Sequence, residues 1–299
     1  MATTATLSMR QQMGQTITEL MNDDKRLVAV LADISTGYFD GVSDTGRVIN
    51  VGIMEQTMTS VAAGLALEGF IPILHSITPF LVERPFEQIK DDFCYQGLGG
   101  NFISIGASYD YSIEGMTHHG AGDVQILRSL PGMQIIVPGT ASEFDCLLRE
   151  TYANGSPTYF RLSETINPVA YPVRFTKLEV MQRGTQATVI AVGPALSYTQ
   201  PAVREMDVTL LYCTTVAPFD AETLRAANQS NRIILVEPYY QGVLVPDISA
   251  ALSRTPVAIE AIGFPHIVQS HYGAARQHDA TAGLTPEGIR QRIEDFLKG

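Results

Sequence analysis

Apolar and polar positions follow one another along the chain in two rhythms. Short apolar runs recur, and between them lie longer stretches with an apolar residue every three or four positions. The first rhythm marks buried strands and the second marks amphipathic helices. Residues 7–22 have helical spacing. RLVAVLAD (26–33) and RVINVG (47–52) read as strands, and the Ala-rich EQTMTSVAAGLALEG (55–69) as a helix. FIPILHSI (70–77) is a strand, 83–96 a helix and NFISIGAS (101–108) a strand. GDVQILRSL (122–130) is a helix stopped by Pro131-Gly132, followed by the strand MQIIVP (133–138), the helix SEFDCLLRETYAN (142–154) and the strand PTYFRLS (157–163). Apolar runs separated by helices are what a parallel sheet covered on both faces produces.

Residues 164–185 break this rhythm with Pro168, Pro172 and charged side chains, and read as a linker. The alternation then resumes. ATVIAVG (187–193), VTLLYCTT (208–215), RIILVEP (232–238) and PVAIEAIG (256–263) are strands, with helices near 197–206, 220–228, 243–252 and 285–298. The last helix opens with Thr285 ahead of Pro286 at its first position. The expectation is an α/β chain of two open, mainly parallel-sheet, three-layer domains, at 1–165 and 186–299, joined by a linker at 166–185.

Composition narrows the function classes. The chain has 299 residues, 45% hydrophobic and 17% charged, which excludes intrinsic disorder. Its net charge is −11 and no Lys/Arg run stands out, so no nucleic-acid partner is expected. There is no apolar stretch long enough to span a membrane, and the N-terminal segment lacks the apolar core of a signal peptide. Cys94, Cys146 and Cys213 are scattered and odd in number, which fits a reducing cytoplasm rather than a disulfide framework or a zinc site.

The common phosphate, metal and hydrolase motifs are missing: GxGxxG after the first strand, GxxxxGK[ST], HExxH and GxSxG. Three segments could still carry chemistry. Glu55, in V-G-I-M-E-Q, lies where a strand meets a helix. A carboxylate there is favoured by the helix dipole alone, yet the carboxyl end of a parallel strand is also where open sheets bind ligands. A shielded carboxylate at that point can hold a proton on a bound heterocycle. S-I-E-G-M-T-H-H-G-A-G-D (112–123) sets Glu114, Thr117, His118, His119 and Asp123 between a strand and a helix. It reads either as a surface loop or as a proton-handling site. In T-P-F-L-V-E-R-P-F-E-Q (78–88), Phe80 and Phe86 are core residues by default, or an apolar wall for a flat ring. No metal site is expected on the chain.

Together these segments resemble the pyrimidine-binding and C-terminal halves of the transketolase family of thiamin-diphosphate enzymes. V-G-I-M-E-Q resembles the junction presenting the family's catalytic glutamate. E-G-M-T-H-H-G-A-G-D is similar to its D-G-P-T-H loop, and closer still to the deoxyxylulose phosphate synthase version. L-P-G-M-Q-I-I-V-P-G (130–139), D-V-T-L-L-Y-C-T-T-V-A-P-F-D (207–220) and I-I-L-V-E-P (233–238) follow in family order. The resemblance implies that Glu55 hydrogen-bonds N1′ of the cofactor's aminopyrimidine and favours the imino tautomer that takes the thiazolium C2 proton. It implies that Phe80, with Phe86 beside it, stacks on the pyrimidine, and that Asp33 in L-A-D-I-S lies next to the cofactor. His118 would handle substrate hydroxyls and protons with His119 at its side, and Glu114 replaces the family's Asp.

Two departures shape the reading. The family holds Mg²⁺ and the diphosphate through a G-D-G…N motif in a preceding domain, and no G-D-G occurs here. The chain thus resembles the small subunit of a split transketolase. A separate N-terminal subunit would carry that motif, Mg²⁺ and the rest of the thiamin diphosphate site in an α2β2 heterotetramer, acting on a ketose and an aldehyde. Second, Glu164 in R-L-S-E stands where transketolases place a phosphate-binding Arg, and Ser108 or Tyr109 stands where a phosphate-contacting His is expected. Arg161 would either clamp a phosphate or be tied up by a buried carboxylate, and charge pairing favours the second. A non-phosphorylated acceptor follows as an expectation. The β subunit of a 2-oxo acid dehydrogenase, a deoxyxylulose phosphate synthase-like enzyme and a non-catalytic regulatory half are the alternatives. The T-H-H sequence speaks against the first, and a carboxylate at position 55 against the last.

Overall fold

A computed structural model describes residues 7–298 of the chain. The outermost residues of the two expected domains, 1–6 and 299, lie outside the described part. The first sheet contains β1 (Leu27–Leu31), β2 (Val48–Asn50), β3 (Ile71–Ile77), β4 (Gly100–Ile105), β5 (Gln134–Ile136) and β6 (Pro157–Arg161). The second contains β7 (Leu178–Gln182), β8 (Ala187–Val192), β9 (Val208–Cys213), β11 (Arg232–Tyr240) and β12 (Ala258–Phe264). A short strand between β9 and β11, β10 (Thr215–Ala217), leaves the second sheet and pairs antiparallel with β5 at the edge of the first. The orders are β10-β5-β6-β4-β3-β1-β2 and β12-β11-β8-β9-β7. Apart from those of β10 and β7, the pairings are parallel.

Helices cover both faces of each sheet, as expected for strands that are apolar on both sides. In β1, Leu27, Ala29 and Leu31 join the core under α1 (Met9–Asp23) and α6 (Ala141–Thr151). Val28 and Val30 join the opposite core with Met58 and Ala62 of α2 (Glu55–Leu67). α1 starts sharply because Ser8 and Gln11 cap each other's backbone N–H groups, at 3.2 and 2.9 Å. In the second sheet, α7 (Leu196–Val203) and α11 (Pro286–Lys298) extend the first core, while α8 (Ala221–Ala227) and α9 (Val245–Ala251) extend the second.

The structure differs from the sequence reading at four places. Residues 178–182, read as linker, form β7, which pairs with β9 through Leu178–Cys213 and its neighbours. It alternates only weakly because one edge and one face are open to solvent. The single helix expected over 83–96 is broken. α3 (Thr78–Val82) ends before Pro85, which offers no backbone N–H, and α4 (Phe86–Gln88) runs on into a wide π turn over Ile89–Cys94. The strand expected over 208–215 splits into β9 and β10. Residues 265–284, left unassigned, include α10 (Ala275–Thr281).

Between the sheets lies a polar knot. Arg161, at the end of β6, is 1% exposed and donates from Nε to Asp123 Oδ2 at 2.7 Å. Asp123 opens α5 (Asp123–Leu127) and also accepts from the Tyr159 hydroxyl at 2.7 Å. Arg161 Nη2 donates to Ser108 Oγ at 2.6 Å, and Ser108 donates to the carbonyl of Pro238 in β11. Nearby, Asp110 accepts the Glu164 backbone N–H at 2.9 Å on the wall of a narrow inter-domain cleft. Burial pushes the Asp110 carboxyl up to about 7, against the opposing pull of that N–H and of Arg161.

Removing one member of a buried ion pair leaves the other charge uncompensated, at about 3–5 kcal/mol. Arg161→Met is therefore expected to destabilise by that amount in urea denaturation, and Arg161→Met combined with Asp123→Leu to recover most of it. A loss below about 1 kcal/mol in the single variant would contradict the role given to the pair. Asp110 makes stability depend on pH. The folded Asp110 carboxyl keeps its proton up to about pH 7, whereas the unfolded one releases it near 3.9. The folded state thus binds more protons between these values, and this contribution is full at acid pH and lost as pH rises through 7. Asp110→Asn cannot ionise. Its melting temperature is expected to exceed that of the wild type by several degrees at pH 8, since raising the carboxyl from its ordinary value to about 7 is worth a few kcal/mol, with a clearly smaller gap at pH 5 that closes only near the unfolded value. An equal gap at both pH values would contradict the assignment.

Candidate active site

The parallel strands of the first sheet end together, and the chain order reverses between β1 and β3. That is the switch point at which open α/β sheets bind ligands. Asp33 and Ser35 follow β1, Glu55 follows β2, Phe80 follows β3, the 106–122 loop follows β4, and Glu164 follows β6. Asp33, Ser35 and Ser108 have φ of 68°, 64° and 53°, a left-handed backbone unusual for residues with a Cβ. Such strain persists where the surroundings over-determine it, and it clusters at functional sites. The turn at Asp33 is held by its N–H, which donates to Asn50 Oδ1 at 2.9 Å.

At the centre of this edge, Glu55 is the first residue of α2 and only 2% exposed. Arg84 Nη1 donates to Glu55 Oε1 at 2.9 Å. The same guanidinium lies over the Phe80 ring, with Cζ 3.7 Å from the centroid. Phe80 in turn packs against His118, with ring centroids 5.0 Å apart at 69°. His118 Nδ1 lies 3.0 Å from the Thr117 hydroxyl. The structure thus brings Glu55, Phe80 and His118 together through Arg84. Sequence reasoning passed over Arg84, because it lies in the turn between α3 and α4, where no helical spacing ties it to Phe80.

The other sequence-predicted residues lie apart from this cluster. Asp33 is exposed on the same edge and Glu114 on the outside of the loop. Phe86 packs on the core that holds Met58 and Phe93, and makes no ring contact with Phe80. His119 is buried in the seam between the sheets, 4.9 Å from the Tyr109 ring and 5.9 Å from the ring of His278 on α10. Burial, together with the charges of His118 and His271, pushes the His119 imidazole below its ordinary range, so it is neutral near pH 7. Tyr109 stacks flat on His278 at 4.5 Å, and Ser108 is held by Arg161 and Pro238. Arg161 is paired, and its partner is Asp123 rather than the exposed Glu164.

Glu164 lines a separate small hollow with Ser8, Arg10, Gly106 and Ser163. Arg10 donates from Nε and Nη2 to Ser35 Oγ at 3.1 and 2.9 Å. The Ser35 hydroxyl faces His75 Nε2 at 2.8 Å, and His75 Nδ1 faces the Ile103 carbonyl at 2.7 Å. Burial pushes His75 down to about 4, so it stays neutral, donates from Nδ1 and accepts from Ser35. Sequence patterning gave no sign of this relay, because its members are far apart in the chain. Among the described residues, no three His, Cys, Asp or Glu side chains converge as metal ligands, and no helix is long and apolar enough to cross a membrane. The edge can instead hold a flat, polar-rimmed ring on Phe80, with Glu55 and His118 at its border.

The chain is similar to known proteins in sequence and in fold. Residues 5–168 match the family model for the transketolase pyrimidine binding domain, and residues 176–289 that for the transketolase C-terminal domain. The chain is 40% identical over 290 residues to an uncharacterized 33.6 kDa protein of the fasciation locus of Rhodococcoides fascians, covering 95% of this chain and 93% of that one. It is 30% identical to a subunit of the apulose-4-phosphate transketolase of Phocaeicola vulgatus, covering 98% of both. It is 28% identical to 1-deoxy-D-xylulose-5-phosphate synthase of Thermus thermophilus, covering 95% of this chain but only 47% of the synthase. In fold, it matches a split-gene transketolase described as an inactive beta4 tetramer, with a TM-score of 0.84 at 23% identity over 98% of this chain and 99% of that one. It also matches the transketolase of Campylobacter jejuni, with a TM-score of 0.79 at 16% identity over 97% of this chain and 47% of that one. The two family models together match most of the chain, and the chain belongs to the transketolase family.

Proposed function

We propose that this chain is the small subunit of a two-component transketolase, which moves a two-carbon ketol unit from a ketose to an aldehyde with thiamin diphosphate. One observation carries the reading: buried Glu55 and the Phe80 ring are bridged by a flat group that stacks on one and donates to the other. A seat that takes a guanidinium in this way also fits an aminopyrimidine. The Phocaeicola relative is a transketolase subunit and the beta4 tetramer comes from a split gene, and both support a partner chain. Ile53 and Met54, beside Glu55, are 69% and 51% exposed, an open apolar flank that the partner would cover. On this reading an N-terminal subunit with the G-D-G…N motif holds Mg²⁺ and the diphosphate in an α2β2 assembly, and the enzyme works in the cytoplasm. The domains are read as 1–165 and 186–299, with β7 extending the second into the segment between them.

When bound, thiamin diphosphate supplies the nucleophilic carbon that carries the two-carbon unit. The chain's own residues position it and move protons. Glu55 holds a proton at N1′ of the aminopyrimidine, from a position shielded from water. Phe80 supplies the stacking face. His118, in contact with that ring, receives and returns protons at the substrate hydroxyls. Asp33 borders the cofactor from the end of β1, and Glu114 meets substrate at the outer rim. Tyr109, His119 and Arg161 support the site from the seam.

The first test uses the complex reconstituted with its partner, a ketose donor and an aldehyde acceptor. Glu55→Gln keeps the shape and removes the ionisable group. It is expected to cut turnover by about 10²–10⁴ with assembly unchanged by size-exclusion chromatography. Near-wild-type turnover would sink the assignment.

The acceptor is read as neutral at its far end. Glu164 lines the small hollow, and Arg161 is too well paired to offset its charge. Arg10 is a cation on the same lining. A carboxylate close to a phosphate dianion costs on the order of 1 kcal/mol at solvent-screened separations. Glu164→Arg is therefore expected to raise kcat/KM for a phosphorylated aldehyde, relative to its unphosphorylated analogue, by about tenfold. An unchanged ratio would remove Glu164 from acceptor selection.

A further inference from the structure

Arg84 does something the transketolase reading does not call for. Its guanidinium makes at once the two contacts assigned above to the cofactor's aminopyrimidine. It stacks on Phe80, with Cζ 3.7 Å from the ring centroid, and donates to Glu55 at 2.9 Å. The stacking distance is that of two planar groups in van der Waals contact, and a planar guanidinium mimics a heteroaromatic ring in shape and in its in-plane N–H donors. Two flat groups cannot share one face of a phenyl ring. Glu55 is 3% exposed at its side chain, so the route to its carboxylate runs past Arg84.

We infer that Arg84 is an internal stand-in for the aminopyrimidine, a latch that fills the seat between Phe80 and Glu55 and must swing out when thiamin diphosphate loads. This inference rests on the proposed roles of Glu55 and Phe80. Three features suit the residue to such a movement. Its side chain is 41% exposed, so solvent is open to it. It lies between the end of α3 and Pro85, outside regular helix, so a side-chain swing breaks no helical hydrogen bond. Its guanidinium contacts belong to the seat itself: a hydrogen bond to Glu55 and a stacking contact with Phe80. The latch keeps a buried carboxylate paired and an aromatic face covered until the cofactor replaces it on both.

The test is calorimetric titration of the reconstituted two-subunit complex with thiamin diphosphate and Mg²⁺, in wild type, Arg84→Met and Arg84→Lys. A latch competes with the ligand, so Arg84→Met is expected to tighten the dissociation constant by about three- to tenfold, the scale of a part-exposed ion pair plus a cation–π contact. Arg84→Lys, which keeps the charge but loses the plane, is expected to fall between. A second ligand, the diphosphate of the thiazole half alone, has no pyrimidine, and its affinity should be the same in all three proteins. Thermal melts of each variant confirm folding. Unchanged or weaker binding of thiamin diphosphate by Arg84→Met overturns the latch, since Arg84 would then be idle or part of the loaded site. A parallel gain for the thiazole fragment also overturns it, because the effect would be general electrostatics. If the wild-type complex takes up no thiamin diphosphate at all, the functional reading falls and the latch with it. Binding by the wild type without a gain in the variant removes the latch alone.

Discussion

The Arg161 guanidinium is almost fully buried, and the site edge of the first sheet depends on how its charge is met. Burial acts against the charged form, and the Asp123 carboxylate, supported by Tyr159, restores it. The pair fixes more than two residues. Arg161 ends β6, Asp123 begins α5, and Ser108, which Arg161 also contacts, follows β4. The loop that carries Glu114, His118 and His119 runs between Ser108 and Asp123, so both of its ends are tied to one guanidinium. The Gly120 N–H closes its base on the Ser108 carbonyl at 2.8 Å. His118 can therefore hold a defined position against Phe80 although it sits on a loop with only short helical turns of its own.

The same knot reaches the second sheet. Ser108 donates to Pro238 of β11, and Arg161 lies 5.4 Å from the Tyr239 ring centroid. β10 carries the chain from β9 onto the edge of the first sheet, with the Val137 N–H bonded to the Thr214 carbonyl at 2.7 Å. Rings from both sides fill the seam: Tyr109 stacks on His278, and His278 stacks on His271 at 4.4 Å. The C-terminal half thus backs the 106–122 loop directly, and the site's geometry belongs to both halves of the chain.

How much of this was legible in sequence depended on whether the signal was local. The strands of both sheets were legible because runs such as ATVIAVG and RIILVEP are apolar on both faces, which only a covered parallel sheet explains. β7 was not, because an edge strand open to solvent has no such run. Glu55 and His118 stood out by their place at strand–helix junctions, which follows from chain order alone. The partner of Arg161 did not, since Asp123 lies 38 residues away and Glu164 only three. The pattern called for a buried carboxylate without saying which one. Ion pairing selects whichever carboxylate the buried guanidinium can reach with good geometry, and α5, which follows β4, puts Asp123 there because β6 returns to pair beside β4. The surroundings of Tyr109 and His119 were not legible either, because the rings they meet, Phe264 and His278, lie more than 140 residues further along the chain.

A half-site poses a physical problem that a complete one does not. Glu55 must be shielded from water to hold a proton on a heterocycle, but a shielded carboxylate with no partner costs several kcal/mol. Phe80 must offer a face to a ring, but an open aromatic face beside exposed Ile53 and Met54 invites unspecific association. A chain that carries these groups and leaves the diphosphate site to a partner has to be stable before either cofactor or partner arrives. One arginine answers both demands, because a guanidinium is charged enough to pair with Glu55 and flat enough to cover Phe80. A lysine would meet only the first, and an aromatic residue only the second. On the proposed reading, Arg at position 84 thus meets both demands of a separable catalytic edge, and its part-exposed side chain is free to leave the seat for a ligand.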